Sequence, residues 1–287
     1  MSDRFRVLAQ YFLPKQALTV LAGKLAHLRG GGLTTGVIRW FVRRYGVDMS
    51  EAANPDVASY ASFNEFFTRP LREGLRPLAE ADFVCPVDGA ISQFGRIEGD
   101  RILQAKGHRY STTALVGGDR DLAACFENGS FATIYLSPRD YHRIHMPCGG
   151  RLTQMIYVPG SLFSVNPATV RGVPDLFARN ERVVCVFDSA HGPFVLALVG
   201  ATIVGSMATA WHGTVNPPRS RDICKWRYDD REIRLAQGDE MGRFQLGSTV
   251  VLLFPENVDF SPEWAPTRAV RLGEAMGAAT TANLTEL

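Results

Sequence analysis

Long hydrophobic runs are scarce in this 287-residue chain, and that limits how it can meet a membrane. The longest near-continuous apolar stretch, 194–205, is too short and too rich in glycine to span a bilayer, which takes about 20 residues. Cysteine is scarce too. The five present (Cys85, Cys125, Cys148, Cys185, Cys224) are scattered, with no C-x-x-C pair. An odd count in a chain of this length argues against a disulfide framework and for a reducing compartment. The start, Met1-Ser2-Asp3-Arg4, leads into an amphipathic segment rather than the plain apolar core of a secretory signal. Neither an internal repeat nor a low-complexity tract is visible. Acidic residues are nearly missing from one end. Residues 1–47 hold one acid, Asp3, against eight Lys/Arg, a net +7. The whole chain carries +2, so the remainder carries −5.

What is present is 46% hydrophobic, enough for a well-buried core and one or two domains. Residues 4–46 read as two or three short amphipathic helices. Leu18, Leu21, Ala22 and Leu25 follow helical spacing, and Thr34, Val37, Ile38, Phe41 and Tyr45 nearly repeat it. Pro14 and Gly30-Gly31-Gly32 punctuate them. Phe5, Tyr11, Phe12, Trp40 and Phe41 add large rings beside basic residues, a pairing that suits an anionic membrane surface. A helical layer packed on the core with a solvated basic face is the competing reading. Nucleic acid is not expected, because no recognition motif accompanies the charge.

Ser62-Phe63-Asn64-Glu65 has the form of a capping box and predicts a short helix through Phe66 and Phe67, closed by Pro70. Beyond residue 82 the texture turns to short β-type runs at 91–97, 101–105, 131–136, 152–158, 183–187, 194–204, 232–235 and 249–254, separated by glycine, proline and asparagine. The crossover helices of a doubly wound sheet are missing. An α+β fold is expected, with a β-rich antiparallel or mixed core, sandwich or barrel-like, and amphipathic helices at the N-terminus. The domain reading is a membrane-associating segment at 1–50 and a catalytic domain at 51–287, with 278–287 frayed.

Three groups of residues carry candidate chemistry. Gly247-Ser248, leading into the apolar run 249–254, places a hydroxyl beside a glycine carbonyl that no Cβ shields. Such a pair is also an ordinary turn signal. Serine needs a base, and the base an orienting group. The run Ser137-Pro138-Arg139-Asp140-Tyr141-His142-Arg143-Ile144-His145-Met146-Pro147 puts two histidines three apart, just after a predicted strand. Alone it reads equally as a structural turn. His142-x-x-His145-x-x-Cys148 has metal-ligand types, but without H-E-x-x-H or a second cysteine pair no metal is expected. Asp88, in Pro86-Val87-Asp88-Gly89, sits in a predicted turn before a strand, where it could fix a histidine tautomer.

Taken together these segments resemble the bacterial phosphatidylserine decarboxylase proenzyme family. The resemblance rests on Pro86-Val87-Asp88-Gly89, Gln104-Ala105-Lys106-Gly107-His108, the run from Leu136 to Pro147, Tyr157-Val158-Pro159-Gly160 with Leu162-Phe163-Ser164-Val165-Asn166, Phe177-Ala178-Arg179-Asn180-Glu181-Arg182, Val199-Gly200-Ala201-Thr202-Ile203-Val204-Gly205-Ser206 and Leu246-Gly247-Ser248-Thr249, in the family's order. The last thirty residues match no family feature. The resemblance implies that Asp88 and His145 activate Ser248, which attacks the Gly247 carbonyl. The resulting ester eliminates, and the new N-terminus becomes a pyruvoyl group, the cofactor. The products would be chains 1–247 and 248–287, held as a heterodimer, with a higher homo-oligomer left open. His142 is implied as the acid that returns a proton to the substrate. Leu162 and Phe163 are candidates for the acyl entrance, and Lys106, His108 and Arg143 for phosphate contact. The implied substrate, phosphatidylserine, places the protein as a monotopic enzyme on the cytoplasmic face of the cell membrane.

Three rivals make different predictions. A standing serine hydrolase leaves the chain uncut, though G-x-S-x-G is absent around Ser248. Hydrolysis at the same bond leaves a free serine amine. A non-catalytic membrane protein is indifferent to Ser248. A soluble pyruvoyl amino-acid decarboxylase would leave the basic aromatic N-terminus unexplained.

Overall fold

A nine-stranded antiparallel sheet organises the chain. The computed structural model describes residues 8, 10–202, 206–216, 218–245 and 249–280. Across the sheet the strands run Cys224–Arg227, Gly150–Val158, Arg182–Ser189, Gly192–Val199, Thr249–Phe254, Ser130–Tyr135, Gly89–Arg96 and Ala269–Val270, with Arg234–Leu235 pairing beside Gly150–Val158. Thr249–Phe254 is therefore an interior strand. It pairs from Thr249↔Tyr135 to Phe254↔Ser130 on one side and from Thr249↔Val199 to Leu253↔Val195 on the other.

Alternate residues of these strands feed two cores. Ile134, Val250, Leu252, Leu196 and Cys185 face one side. There they pack with Ile144, Met207, Met241 and Phe244 of a four-stranded sheet, ordered Gly213–Asn216, Met207–Thr209, Glu240–Phe244, Arg143–His145. Phe131, Val251, Leu253, Val195 and Val184 face the other side, against Ile102 and Tyr110 of the Arg101–Ala105/His108–Ser111 hairpin and against short helices carrying Leu115, Leu176 and Phe177. A strand buried on both faces reads as a continuous apolar run, and Thr249–Phe254 does. The fold is the expected α+β class built on antiparallel sheets, in the sandwich form rather than as a closed barrel.

The predicted strands 101–105 and 249–254 appear with the same bounds, and four others within two residues at either end. The 194–204 run ends as a strand at Val199, where Gly200 N–H turns to the Glu181 carbonyl at 2.8 Å. Of 232–235 only Arg234–Leu235 is strand. The expectation of fraying from 278 is corrected: Ala275–Ala279 is a strand that pairs with Val258–Phe260 and with Phe83–Val84. Small residues are what permit it, since a Cβ on Gly277 would lie 2.6 Å from the Asp259 carbonyl. Residues 281–287 lie outside the described ones.

At the N-terminal end, residues 8 and 10–12 are helical and the helices Lys15–Ala26 and Gly32–Tyr45 follow. Ile38 and Phe41 of the second pack with Tyr60, Phe66 and Phe67 in a separate small core. The helix Phe63–Phe67 is capped by Ser62, whose hydroxyl accepts from Glu65 N–H at 3.1 Å. The Glu65 carboxylate reaches back one residue further than a capping box requires, to Ala61 N–H at 2.9 Å. Much of the first helix is exposed: only Thr19 and Ala26 are buried in it. Among the described residues no helix is long and apolar enough to cross a membrane.

Candidate active site

The strand Arg143–His145 lies at the edge of the four-stranded sheet, where Glu240–Phe244 and the backbone of Pro86 hold it. His145 N–H donates to the Pro86 carbonyl at 2.9 Å, and Met146 N–H to the Asp239 carbonyl at 2.9 Å. The mostly buried His145 ring is fixed at both nitrogens. Nδ1 lies 2.8 Å from the Gly238 carbonyl and Nε2 lies 3.1 Å from the Tyr141 hydroxyl. A carbonyl only accepts, so Nδ1 carries the proton and donates it. Burial pushes the His145 pKa down, so the ring is neutral and Nε2 is a lone pair receiving the Tyr141 O–H. Burial also pushes the Tyr141 phenol up, so it stays a donor.

Gly238 is required where it stands. Its φ is +83°, and a Cβ there would meet Leu78 at 2.6 Å.

Asp88 reaches the same region two residues after Pro86. Its carboxylate is not bonded to His145. It accepts from Arg76 Nη2 at 2.6 Å and Nε at 3.1 Å, and from Leu272 N–H at 2.8 Å. Arg76 also binds Glu51 at 2.7 Å. The structure thus brings Asp88 and His145 together through the backbone, and gives His145 the Gly238 carbonyl as its orienting partner. Gly89 begins a strand at ordinary φ, rather than serving a positive-φ turn. Its missing side chain answers a close approach, because a Cβ would lie 2.5 Å from the Tyr135 carbonyl.

His142 is fully buried. Its ring stacks on Phe67, centroids 4.1 Å apart and planes 15° apart. Neither ring nitrogen has a hydrogen-bond partner among the described residues; the backbone at Ser137 and Pro138 is near enough to oppose the shift but forms no well-shaped bond. Burial first, and the Arg69 charge second, push its pKa down to about 3, so the free ring is neutral. The Ser137 and Thr249 hydroxyls are buried and unpartnered in the same sense.

Gly247 and Ser248 lie outside the described residues; the residues that flank them on either side are held by the backbone. Phe244 N–H donates to the His142 carbonyl at 3.0 Å, Gln245 N–H to the Ser206 carbonyl at 2.9 Å, and Thr249 pairs with Tyr135. Three residues therefore connect the sheet holding His145 to the end of the strand that leads into Ser137. A cavity of about 360 Å³ opens beside this end, lined by Asp88, Tyr135, Ser137, Tyr141, Arg69 and Arg76 among others.

The remaining candidates sit elsewhere. Lys106 is exposed at the turn of the Arg101–Ala105/His108–Ser111 hairpin, with φ +47°, and His108 is half-buried beside it. Arg143 is engaged by the Thr68 carbonyl at 2.9 Å and by Glu240 at 2.8 Å. Leu162 and Phe163 are buried, and Phe163 meets the N-terminal segment through Tyr11, ring centroids 5.0 Å apart, and Lys15, 4.2 Å from its ring. Sequence reasoning missed Arg76, Gly238, Tyr141 and Arg69. Only Tyr141 carried a signal, standing four residues before His145 in the same motif.

The model of the family described as phosphatidylserine decarboxylase matches residues 63–278, and a model described as PSD matches residues 5–46. The match to 278 extends the family's features into the last thirty residues, where none was recognised from sequence. The chain is 74% identical over 278 residues to the phosphatidylserine decarboxylase proenzyme of Dechloromonas aromatica (strain RCB), covering 96% of this chain and 99% of that one. It is 73% identical to the protein of the same name from Azoarcus sp. (strain BH72), covering 96% of each. With that of Variovorax paradoxus (strain S110) it shares 70% identity over 285 residues, 99% of this chain and all of the relative.

Proposed function

The chain belongs to the phosphatidylserine decarboxylase family, a family of decarboxylases, and from that membership we propose that it cuts itself between Gly247 and Ser248 and then works as a pyruvoyl-dependent enzyme. His145 Nε2, unprotonated and held in one tautomer by the Gly238 carbonyl, takes the Ser248 hydroxyl proton. The serine oxygen adds to the Gly247 carbonyl carbon, the amide nitrogen leaves with a proton, and an ester joins the two residues. Loss of the Ser248 Cα proton then expels the Gly247 carboxylate. Hydration of the resulting dehydroalanine releases ammonia and leaves a pyruvoyl cap on Thr249. Asp88 supplies a fixed negative charge beside His145 that favours the imidazolium formed on the way.

The surroundings fit such a cap. Thr249 is fully buried at the start of an interior strand, and its unpartnered hydroxyl, like those of Ser137 and the His142 ring, is ready for a group not among the described residues. When formed, the cap supplies a carbonyl that withdraws the electrons left on the substrate Cα as carbon dioxide departs. The chain's own residues do the rest. His142 delivers the proton to Cα. Since burial keeps its free ring neutral, it acts as a relay that receives one proton as it passes on another. Phe163, packed against Tyr11 and Lys15, and its neighbour Leu162 are the residues assigned to the acyl entrance, while Lys106 and His108 remain the weaker candidates for headgroup contact.

Among the described residues, thirteen of the fifteen large hydrophobic residues that are exposed fall within residues 8–45, with Phe12 at 81%, Leu33 at 80% and Trp40 at 57%. Lys24, Arg29, Arg39, Arg43 and Arg44 are exposed among them. That surface suits a monotopic enzyme on the anionic cytoplasmic face of a membrane. The observation that carries the proposal is the neutral His145 ring, held in one tautomer by the Gly238 carbonyl, in the sheet whose strand Glu240–Phe244 precedes Gly247-Ser248 in the chain. Intact mass tests it. Purified protein should give 1–247 and a 248–287 fragment lighter than its serine form by one ammonia, and Ser248→Ala a single uncut chain. A cut in Ser248→Ala, or an uncut active wild type, ends it.

A further inference from the structure

Among the described residues, Arg69 and Arg182 are both almost wholly buried, and they are held in opposite ways. Arg182 donates four hydrogen bonds of 2.5–2.8 Å to the carbonyls of Leu115, Ala178, Asn180 and Ala114. It is a structural residue that ties helix ends to the sheet. Arg69, 4% exposed, makes two long hydrogen bonds, to the Phe66 carbonyl at 3.5 Å and the Arg139 carbonyl at 3.4 Å, and lies over the Phe66 ring, 5.1 Å from its centroid. Its Nε has no partner among the described residues, and it forms no ion pair there. A buried cation left in this state is expensive unless a counter-charge arrives.

None of the acids around it is free to supply one. Asp88 and Glu51 are both bound to Arg76, Glu51 meets Arg271 as well at 3.4 Å, and Asp140 accepts from Ser137 N–H at 2.6 Å. Arg69 lines the cavity of about 360 Å³ that also holds Asp88, Ser137 and Tyr141, and whose rim includes Gly46 and Asp48 at the end of helix Gly32–Tyr45. The cavity thus lies between the end of that helix and the Asp88 and Tyr141 side chains, with a cation that has no ion pair among the described residues inside.

Resting on the decarboxylase reading, we propose that Arg69 is the anion-binding group of this cavity and holds the phosphodiester of the lipid headgroup. The other anion of the substrate, its α-carboxylate, is the wrong ligand. That carboxylate loses its charge as carbon dioxide leaves, so a guanidinium clamped on it would stabilise the ground state more than the transition state. The phosphodiester keeps its charge throughout, and binding it positions the serine end without opposing the reaction.

The test compares monomeric dihexanoyl phosphatidylserine with its phosphate methyl triester, which is the same substrate without the phosphate charge. Wild-type enzyme should bind the diester with a KM about tenfold or more below that of the triester, as expected of a charge-assisted bond. Arg69→Gln should raise the diester KM to the triester value, leaving the triester KM and kcat within about twofold. Arg69→Lys should keep part of the preference. Appearance of the 248–287 fragment reports that each variant has folded. A wild type that shows no preference, or an Arg69→Gln enzyme that keeps it, overturns the proposal. If Arg69→Gln is not cut, an unchanged diester KM in Arg69→Lys overturns it equally. Carbon dioxide from neither substrate with wild type is a different result, which removes the decarboxylase reading and this assignment with it.

Discussion

His145 and Asp88 were legible as residues; their partners were not. Both sit in motifs whose side-chain types announce acid–base chemistry. Arg76 stands in a stretch with no periodicity, and Leu272, which donates to Asp88, is 184 positions away. Pattern cannot register a backbone N–H from so far along the chain. The consequence at this scale is that His145 depends on Tyr141. The phenol donates to the Nε2 lone pair and so favours the neutral ring. Tyr141→Phe removes that donor, the His145 pKa rises, and the neutral base is lost at a higher pH. The acid limb of the self-cleavage rate should shift upward in pH, as read by fragment appearance on stopped gels; a limb that stays in place removes Tyr141 from the base. Arg76 makes a second prediction. Its side chain and that of Asp88 are 6% and 11% exposed. Arg76→Met strands a buried carboxylate with one N–H donor, a loss of about 3–5 kcal/mol. Denaturant unfolding in the Ser248→Ala background, where one chain is present, measures it.

Among elements, length decided what sequence could reveal. Strands of six or more residues showed their apolar pattern, and Thr249–Phe254 was read with its bounds intact, whereas the five-residue strands Glu240–Phe244 and Ala275–Ala279 were missed. The three-residue strands Arg143–His145 and Met207–Thr209 were not read as strands, because two or three residues define no period and their pairing partners alone make them extended. The strand carrying His145 was thus recognised as a motif but not as a sheet edge. Leu252 lies at the middle of the interior strand, fully buried between Ala132 and Leu196. Leu252→Ala should cost about 2–5 kcal/mol, by the same unfolding measurement, and a loss under about 1 kcal/mol would mean the strand contributes far less packing than its position implies.

For the whole molecule, sequence left open a membrane face or a packed helical layer, and the second helix has a packed side and an exposed apolar side together. Gly32–Tyr45 seats Ile38 and Phe41 in a small core while Leu33, Val37 and Trp40 remain outside. Phe12→Asp with Trp40→Asp should lower binding to phosphatidylglycerol-containing vesicles by about tenfold or more, since each ring contributes roughly 1.5–3 kcal/mol when buried. Sedimentation with vesicles reads this, and turnover of a monomeric short-chain lipid should stay within about twofold. The position of Leu272 carries a wider consequence. The N–H that fixes Asp88, and the Ala269–Val270 strand that borders it, both lie after the proposed scission point. A ribosome must therefore release this far end before the machinery upstream is complete. On the self-cleavage proposed above, maturation acts as a proofreading step, because a nascent polypeptide that stops short of Leu272 lacks the N–H that fixes Asp88.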